Sequence, residues 1–255
     1  MASRSTPRRR PWPRLGPRAP ASRRAVRTLG APTSALELSR SLDAEAHSDR
    51  IGPNAAIQLI VALKALGETE ALTRLFEESG RSAWLEAPPQ EMIATSDAAR
   101  LHVGLRRLLP APRAEAALAA AGGLTADYLL ANRIPRPAQV VFKILPARVA
   151  AWALMRAISA NAWTFAGSGV FSFSIDSGAE ARIGENPLCS GLSAEAPACV
   201  WHAAVFEGLF RALVSPSTRA HEIACRAQGD PCCRFRLDWA PARASRRQPE
   251  PRLEP

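Results

Sequence analysis

The first half of the chain has the hydrophobic pattern of consecutive amphipathic helices. From residue 53 to residue 160, apolar residues recur at steps of three and four, which places their side chains on one helical face. Proline and glycine divide this pattern, because proline cannot continue a helix and glycine commonly follows its last turn. The sequence predicts helices over residues 53–67, 68–79, 91–109, 113–132 and 138–160, the last with a kink at Pro146.

The pattern changes to strand-like alternation after Asn161. Residues 163–175 and 179–183 predict two antiparallel strands joined by a turn at Ser177-Gly178. Residues 198–213 return to helical spacing, and a turn at 228–231 then separates two further strands. In the last strand, one side carries Cys233, Phe235, Leu237 and Trp239.

Together these elements predict an α+β domain. An N-terminal helical bundle over residues 51–160 packs on an antiparallel sheet with one helix, formed by residues 161–240. The alanine-rich centre of the 113–132 helix predicts close approach of a neighbouring helix. A chain of 255 residues that is 47% hydrophobic can bury one substantial core.

Four residues of the C-terminal part have the types and spacing of ligands to one metal ion. They are Cys199, Glu222, Cys225 and Cys233. Zn²⁺ prefers thiolate ligands and accepts one carboxylate, and a closed four-ligand site is structural. We therefore predict a structural zinc that staples the C-terminal hairpin. On a regular strand Glu222 and Cys225 would point to opposite faces, so a bulge or a strand end near Ala224 is also predicted.

Two other residues near this set have weaker cases. His202 lies one helical turn after Cys199, and it is an alternative metal ligand or an axial ligand to a tetrapyrrole magnesium. Burial in the core is the simpler explanation for a single histidine. Cys189, in the loop after Asn186-Pro187, has the weakest case for any role.

Aromatic residues concentrate in the second half of the chain. Of the 15 aromatic residues, 11 lie beyond residue 140, so the junction of helices and sheet is where a flat apolar ligand would bind. Burial in the core is again the alternative for each residue alone. The candidate ligand-contacting residues are Trp152, Met155, Trp163, Phe171, Phe173, His202, Phe206 and Phe210.

The net charge of +10 comes from one end of the chain. Residues 1–34 contain nine arginines and no acidic residue, which leaves 24 basic and 23 acidic groups in the remainder. We predict that residues 1–50 form a disordered basic arm and residues 241–255 a disordered tail. The nearly neutral domain argues against nucleic acid as a partner. Contact of the arm with anionic lipid, or a targeting role, is left open.

The sequence also argues for a location and against several cofactors. It has no apolar run of about 18 residues, which argues against a transmembrane helix. Its five cysteines are clustered rather than spread as in a disulfide framework, which predicts a location in the reducing cytoplasm. Gly167-Ser168-Gly169 lacks the context of a dinucleotide fold, and no P-loop or Cys-x-x-Cys pair occurs. No catalytic residue can be assigned.

The four predicted metal ligands also carry a family resemblance. Their spacing, with Gly229 in the turn and Phe235 two residues after Cys233, resembles the 4-vinyl reductase domain, which also occurs in the sensor modules of phenol-responsive transcription activators. In that domain the four positions hold a structural zinc. The wider run from Gly52 to Trp239 looks like the bacteriochlorophyll 4-vinyl reductase family of phototrophic bacteria.

The resemblance implies bacteriochlorophyll biosynthesis, at reduction of the vinyl group of divinyl chlorophyllide or protochlorophyllide. Two interpretations compete: a protein that binds the tetrapyrrole for a separate reductase, or the reductase itself with an unseen electron donor. A small-ligand sensor domain is a third. Other pigment-biosynthesis enzymes and a second copy of the chain are implied as partners, with contact at the photosynthetic membrane surface left open.

Overall fold

The computed structural model describes residues 49–239, so the predicted basic arm, apart from its last two residues, and the predicted tail lie outside the described residues. Within this range the chain forms eight α-helices and six strands. The helices are α1 Asn54–Ala65, α2 Thr69–Glu78, α3 Thr95–Leu108, α4 Ala111–Asn132, α5 Arg136–Ile144, α6 Ala147–Ala160, α7 Trp163–Ala166 and α8 Val200–Leu213. Short 3₁₀ turns cover Ser82–Leu85, Pro187–Cys189 and Arg226–Gln228.

The strands form two antiparallel sheets. Strands β1 (Arg50–Ile51) and β2 (Ile93–Ala94) pair with each other beside the N-terminal helices. The larger sheet has the order β3-β4-β6-β5, and its strands are β3 Val170–Ile175, β4 Ala179–Gly184, β5 Arg219–Ala224 and β6 Cys232–Asp238. The predicted α+β class is therefore confirmed.

Prolines set the helix boundaries more sharply than the sequence predicts. Pro110, Pro135 and Pro146 each directly precede a helix. The residue before Pro146, Leu145, has an extended ψ of 148°, because the proline ring disfavours helical backbone at the preceding position. The predicted kink at Pro146 is thus a complete break between α5 and α6. Likewise Trp163–Ala166 is a helical turn, although the pattern predicted a strand there.

Helices α4 and α8 form the centre of the helical core. A Cβ atom on Gly122 of α4 would collide with the backbone carbonyl of Trp201, and one on Gly208 of α8 would collide with the Cβ atom of Ala126. Glycine and alanine therefore let the two backbones approach closely, as the alanine-rich pattern predicted. This contact holds the start of α8, where Cys199 lies, against the rest of the core.

The larger sheet has one buried and one solvated face. The side chains of Cys233, Phe235 and Leu237 are fully buried, as the alternation in β6 predicted. On the other face, Arg234 donates to both carboxylate oxygens of Glu180. The pairing of β5 with β6 shifts register between Glu222 and Ala224, so the predicted bulge is confirmed. The sheet thus directs Cys233 toward the core.

Candidate metal centre

Four cysteine thiols meet in the interior between the start of α8 and the sheet. The sulfur atoms of Cys189, Cys199, Cys225 and Cys233 all lie within 4.8 Å of one another, and all four residues are buried. The fifth cysteine, Cys232, faces the other side of β6 and is only partly buried. The chain thus sorts its cysteines into one cluster and one outlying residue.

Different elements bring each thiol to this point. Cys199 precedes the first residue of α8, Cys233 lies on the buried face of β6, and Cys225 directly follows β5 beyond the bulge. On a regular strand, residues three apart face opposite sides. The bulge changes the direction of the end of β5, so that the side chains of both Glu222 and Cys225 point toward the cluster.

Asn186 positions the fourth thiol, that of Cys189. Its side-chain oxygen accepts a hydrogen bond from the backbone N–H of Leu188 at 3.1 Å, which caps the 3₁₀ turn that contains Cys189. Proline at the first position of that turn is pre-set for helical backbone. The Asn-Pro pair is the sequence signal that predicts an inward turn here, and the sequence interpretation missed its consequence for Cys189.

The sulfur separations match those around a tetrahedral metal ion. The Sγ atom of Cys199 lies 3.8 Å from that of Cys225 and 3.5 Å from that of Cys233. Cys233 Sγ lies 3.6 Å from Cys189 Sγ and 4.0 Å from Cys225 Sγ. Metal–sulfur bonds of the length found for zinc would place tetrahedral sulfurs about 3.8 Å apart. These separations exclude disulfide bonds, and the geometry fits a metal site with four cysteine ligands.

Neighbouring N–H groups point at the sulfur atoms. The Asn186 amide donates to Cys199 Sγ at 3.2 Å and to Cys233 Sγ at 3.4 Å. The backbone N–H of Ala198 donates to Cys225 Sγ at 3.4 Å. Such donors stabilise thiolate charge and orient ligands at metal sites. The residues present therefore fit a metal ion held by deprotonated cysteines.

The cluster has an uneven proton affinity. The pKa of Cys225 is well below its usual range, chiefly because of hydrogen bonds with the thiols of Cys189, Cys199 and Cys233. The pKa of Cys233 is instead raised, first by its hydrogen bond with Cys189. The pKa of Cys189 is also lowered and that of Cys199 is raised, so two of the four thiols favour the thiolate form. This is the chemistry from which a cation displaces protons.

Two ionisable side chains, those of Arg106 and Glu222, border the cluster. The guanidinium group of Arg106 donates to the backbone carbonyls of Ala198 and His102, and burial lowers its pKa while the nearby Cys199 thiol opposes that shift. Glu222 Oε2 accepts a 2.6 Å hydrogen bond from the backbone N–H of Cys199, whereas Oε1 is buried without a partner. Burial raises the pKa of Glu222 to about 9.

The structure thus brings five donor residues to one place, one more than the sequence predicted. Three of the four predicted ligands belong to the thiol cluster, and the fourth, Glu222, contacts its edge through Cys199. Cys189 completes the set of four sulfurs. Participation of Glu222 in metal binding stays a prediction.

The comparisons with known proteins place this site in a family. Residues 179–238, which include the whole cluster, match the family model described as V4R domain. The chain is 43% identical over 190 residues to the bacteriochlorophyll synthase 23 kDa chain of Cereibacter sphaeroides, covering 74% of this chain and 90% of that protein. The chain belongs to this family. The protein of the same name from Rhodobacter capsulatus is 41% identical, over 72% of this chain and 84% of that protein.

A solved structure resembles part of the chain. The phenol-responsive sensory domain of the transcription activator PoxR, crystallised with phenol, matches 57% of this chain and 74% of that chain. The identity is 16% and the TM-score is 0.43.

The residues predicted to contact a flat ligand differ widely in exposure. Met155, His202, Phe206 and Phe210 are buried in the core, whereas Phe171 and Phe173 on edge strand β3 are half-buried. Trp152 and Trp163 are exposed by 54% and 40%. The ring of Phe206 packs edge-on against those of Phe165 and Phe235, with centroids 5.8 and 5.4 Å away. Their ligand-binding role stays a prediction.

His202 is a neutral core residue in this family member. Its Nε2–H donates to the carbonyl of Phe165 at 3.2 Å, while its Nδ1 atom is buried without a hydrogen-bond partner. Burial lowers its pKa to about 4. The imidazole is therefore uncharged at neutral pH, and it packs against the rings of Trp201 and Phe206. A role as a ligand to a metal or a pigment stays a prediction.

Two surface pockets lie elsewhere on the helical part. One of about 480 Å³ lies between the Ser82–Leu85 turn and the start of α3, and its lining includes Trp84, Met92 and Asp97. The other, of about 380 Å³, lies between α2 and α3. Neither is lined by the residues that the sequence assigned to ligand binding. No described helix has the length and apolar character needed to cross a membrane.

Proposed function

We propose that this protein binds a divinyl chlorophyllide or protochlorophyllide and serves the reduction of its vinyl group during bacteriochlorophyll biosynthesis. The observation that supports a role in this pathway is family membership, since both relatives are named as chains of bacteriochlorophyll synthase. The V4R match, which covers strands β4 to β6 and the thiol cluster, supports the vinyl-reduction step. Other enzymes of pigment synthesis are then its natural partners.

Binding is favoured over catalysis by the chemistry of the chain. The candidate metal site is closed, because four sulfurs would fill every tetrahedral position and leave none for substrate. The sequence contains no dinucleotide fingerprint that would hold a nicotinamide. Reduction needs an electron carrier, and such chemistry belongs to cofactors. The alternative, that this chain is the reductase, requires an electron donor supplied by another protein.

The exposed edge of the larger sheet is the best candidate for the pigment contact. Phe171 and Phe173 lie on one side of edge strand β3 and remain half-buried, so a flat macrocycle can cover them. Trp163 adds a large, partly exposed aromatic surface in the preceding helical turn. The ring of Phe165, two residues later, lies 5.4 Å from that of Phe171. Covering these aromatic side chains with the flat apolar face of a porphyrin would bury their surface and favour binding.

We further propose that the cluster holds one structural Zn²⁺. Zinc is the metal that four cysteine ligands in tetrahedral positions favour. When bound, it would cross-link the start of α8, the 3₁₀ turn at Cys189 and both strands of the C-terminal hairpin. The protein's own contribution is orientation, through the amide of Asn186 and the backbone N–H of Ala198.

Pigment titration tests the binding function. We expect purified protein to shift the absorption of divinyl protochlorophyllide saturably, and Trp163→Ala to weaken binding about tenfold with zinc content unchanged. Trp84→Ala is the matched control, because Trp84 is also partly exposed but lines the separate pocket near α3. A larger loss in Trp84→Ala would move the pigment to that pocket, and no saturable shift would refute the proposal.

Turnover separates binding from catalysis. We expect no reduction of the vinyl group when the protein and pigment receive NADPH alone, because the chain has no nucleotide-binding motif. Product formation under these conditions, measured by chromatography, would establish the reductase interpretation in place of the carrier one.

A further inference from the structure

Exposed apolar side chains concentrate in one stretch of the chain. Of the ten large hydrophobic residues that are exposed in the described part, seven lie between residues 140 and 170. Five of the seven belong to α5 and α6, two consecutive helices separated by Leu145 and Pro146. These five are Val140, Val141, Ile144, Val149 and Trp152. The remaining fold shows no comparable concentration among its described residues.

Helix α5 turns its apolar stripe outward. Val140 and Val141 precede Ile144 by four and three residues, so both lie on the same side of the helix as Ile144. The exposures of the three side chains are 60, 51 and 76%. No residue of α5 is buried. The helix is held by Phe142, which packs partly against the core, and by the amide of Gln139, which donates to the carbonyls of Leu130 and Ile134. An amphipathic helix of a globular protein normally has the opposite orientation.

The same stretch carries only positive charge. From residue 128 to residue 175 the sequence has no aspartate or glutamate and five basic residues, Arg133, Arg136, Lys143, Arg148 and Arg156. In α6 the guanidinium carbon of Arg156 lies 5.9 Å from the centre of the Trp152 ring. Long basic side chains beside exposed aliphatic and tryptophan side chains are typical of helices that lie in a membrane interface.

We propose that α5 and the exposed face of α6 bind the surface of an anionic lipid bilayer. In this arrangement α5 lies parallel to the bilayer with its valine and isoleucine stripe among the upper acyl chains. Arg136 and Lys143 flank that stripe and contact lipid phosphates. The contact is peripheral and needs no membrane-spanning helix. It also does not depend on pigment binding.

The positive charge of the α5–α6 surface favours an anionic bilayer, rather than a second copy of the chain, as its partner. A symmetric dimer through α5 and α6 would bring two sets of five like charges together, with no acidic residue in the segment to pair them. An anionic bilayer instead supplies both the apolar layer and the opposite charge. Each basic residue near such a surface strengthens the binding.

Vesicle sedimentation with the full chain tests the proposal. We expect the protein to bind vesicles of phosphatidylglycerol and phosphatidylcholine but not of phosphatidylcholine alone. The double substitution Val140→Ser with Ile144→Gln should weaken binding about tenfold, because two aliphatic side chains no longer enter the bilayer. Since the basic arm of residues 1–34 is unchanged in this variant, the loss reports on α5.

Matched controls make the result decisive. Val61→Ser with Leu66→Gln makes matching substitutions at two exposed aliphatic residues of the α1 region, 43 and 49% exposed, and should leave vesicle binding unchanged. Equal binding by both double variants, or no binding by the unaltered chain, would overturn the proposal. A dimer of the unaltered chain, seen by light scattering and lost only in the α5 variant, would assign the surface to a second copy instead.

Discussion

The thiol cluster and the α5–α6 segment reverse the usual distribution of polar and apolar groups in opposite ways. The cluster buries four ionisable thiols beside a buried carboxyl oxygen without a hydrogen-bond partner. The α5–α6 segment exposes five large apolar side chains. Buried polar groups are costly unless they bind a partner, and exposed apolar stripes mark surfaces that bind one.

The difference shows how each kind of partner is recognised by the fold. A metal ion needs ligands that meet at one point. Cysteines from four separate elements therefore place their sulfur atoms within 4.8 Å of one another. A bilayer requires only a face, so residues of two consecutive helices suffice. The first arrangement fails when any single ligand is lost, whereas the second weakens by degrees.

Loss of one central ligand should have the largest effect on stability. Cys225→Ser is expected to abolish metal binding and to lower the free energy of unfolding by on the order of 4 kcal/mol, since metal binding and folding are coupled. Metal content by elemental analysis and chemical denaturation measure both. Cys232→Ser is the control, because Cys232 lies outside the cluster and should change neither quantity. A Cys225→Ser protein that lacks metal but is as stable as the unaltered chain would show that the cluster does not stabilise the fold through a metal.

A second pair of variants decides which residue is the fourth ligand. We expect Cys189→Ser to lower zinc affinity more than tenfold, because its sulfur belongs to the compact set of four. Glu222→Gln should retain one zinc per chain, since its carboxyl group already accepts a hydrogen bond from Cys199 and the amide can keep it. Competition with a chromogenic chelator measures both affinities. The reverse order would establish the three-cysteine, one-glutamate site that the sequence predicted.

Local patterns predicted those parts of the fold that depend on neighbouring residues. Alternation in β6 placed Cys233 inward. The three-residue spacing of Glu222 and Cys225 required a bulge or a strand end near Ala224, and the structure contains a register shift there, at the end of β5. The glycine and alanine contacts of α4 and α8 also followed from composition. Each of these features is fixed by chain geometry over a few residues.

Tertiary contacts fixed what the sequence interpretation missed. Cys189 joins the cluster because a capped 3₁₀ turn aims it at residues 10 and 44 positions away, which spacing alone does not reveal. Phe206 and Phe210 are buried because α8 packs on both α4 and the sheet, and Trp152 is exposed because its face of α6 has no neighbour in the described part of the fold. Aromatic content alone could not separate these cases.

The smallest expected effect is a pH dependence of stability in the helical core, which can be compared with that of the thiol cluster. The helical core also buries an ionisable group, His102, whose Nε2–H donates to the carbonyl of Ala55 at 3.0 Å. Burial first, and then the charge of Arg106, lower its pKa from 6.5 to about 3, with His202 opposing its charging as well. The group is therefore neutral when folded, and no metal is needed to satisfy it.

Because the unfolded chain binds this proton near pH 6.5 and the folded chain only near pH 3, stability should fall as pH decreases through that window. Each fully titrating histidine contributes at most about 1.4 kcal/mol per pH unit. His102→Gln keeps an N–H donor toward Ala55 but cannot take up a proton. It should make the loss of stability between pH 6.5 and 5 smaller than in the unaltered chain, because the contributions of His202 and Glu222 are the same in both proteins. Denaturation monitored by tryptophan fluorescence, with zinc content checked at each pH, measures the slopes. Identical slopes in the two proteins would show that the fold does not lower the pKa of His102.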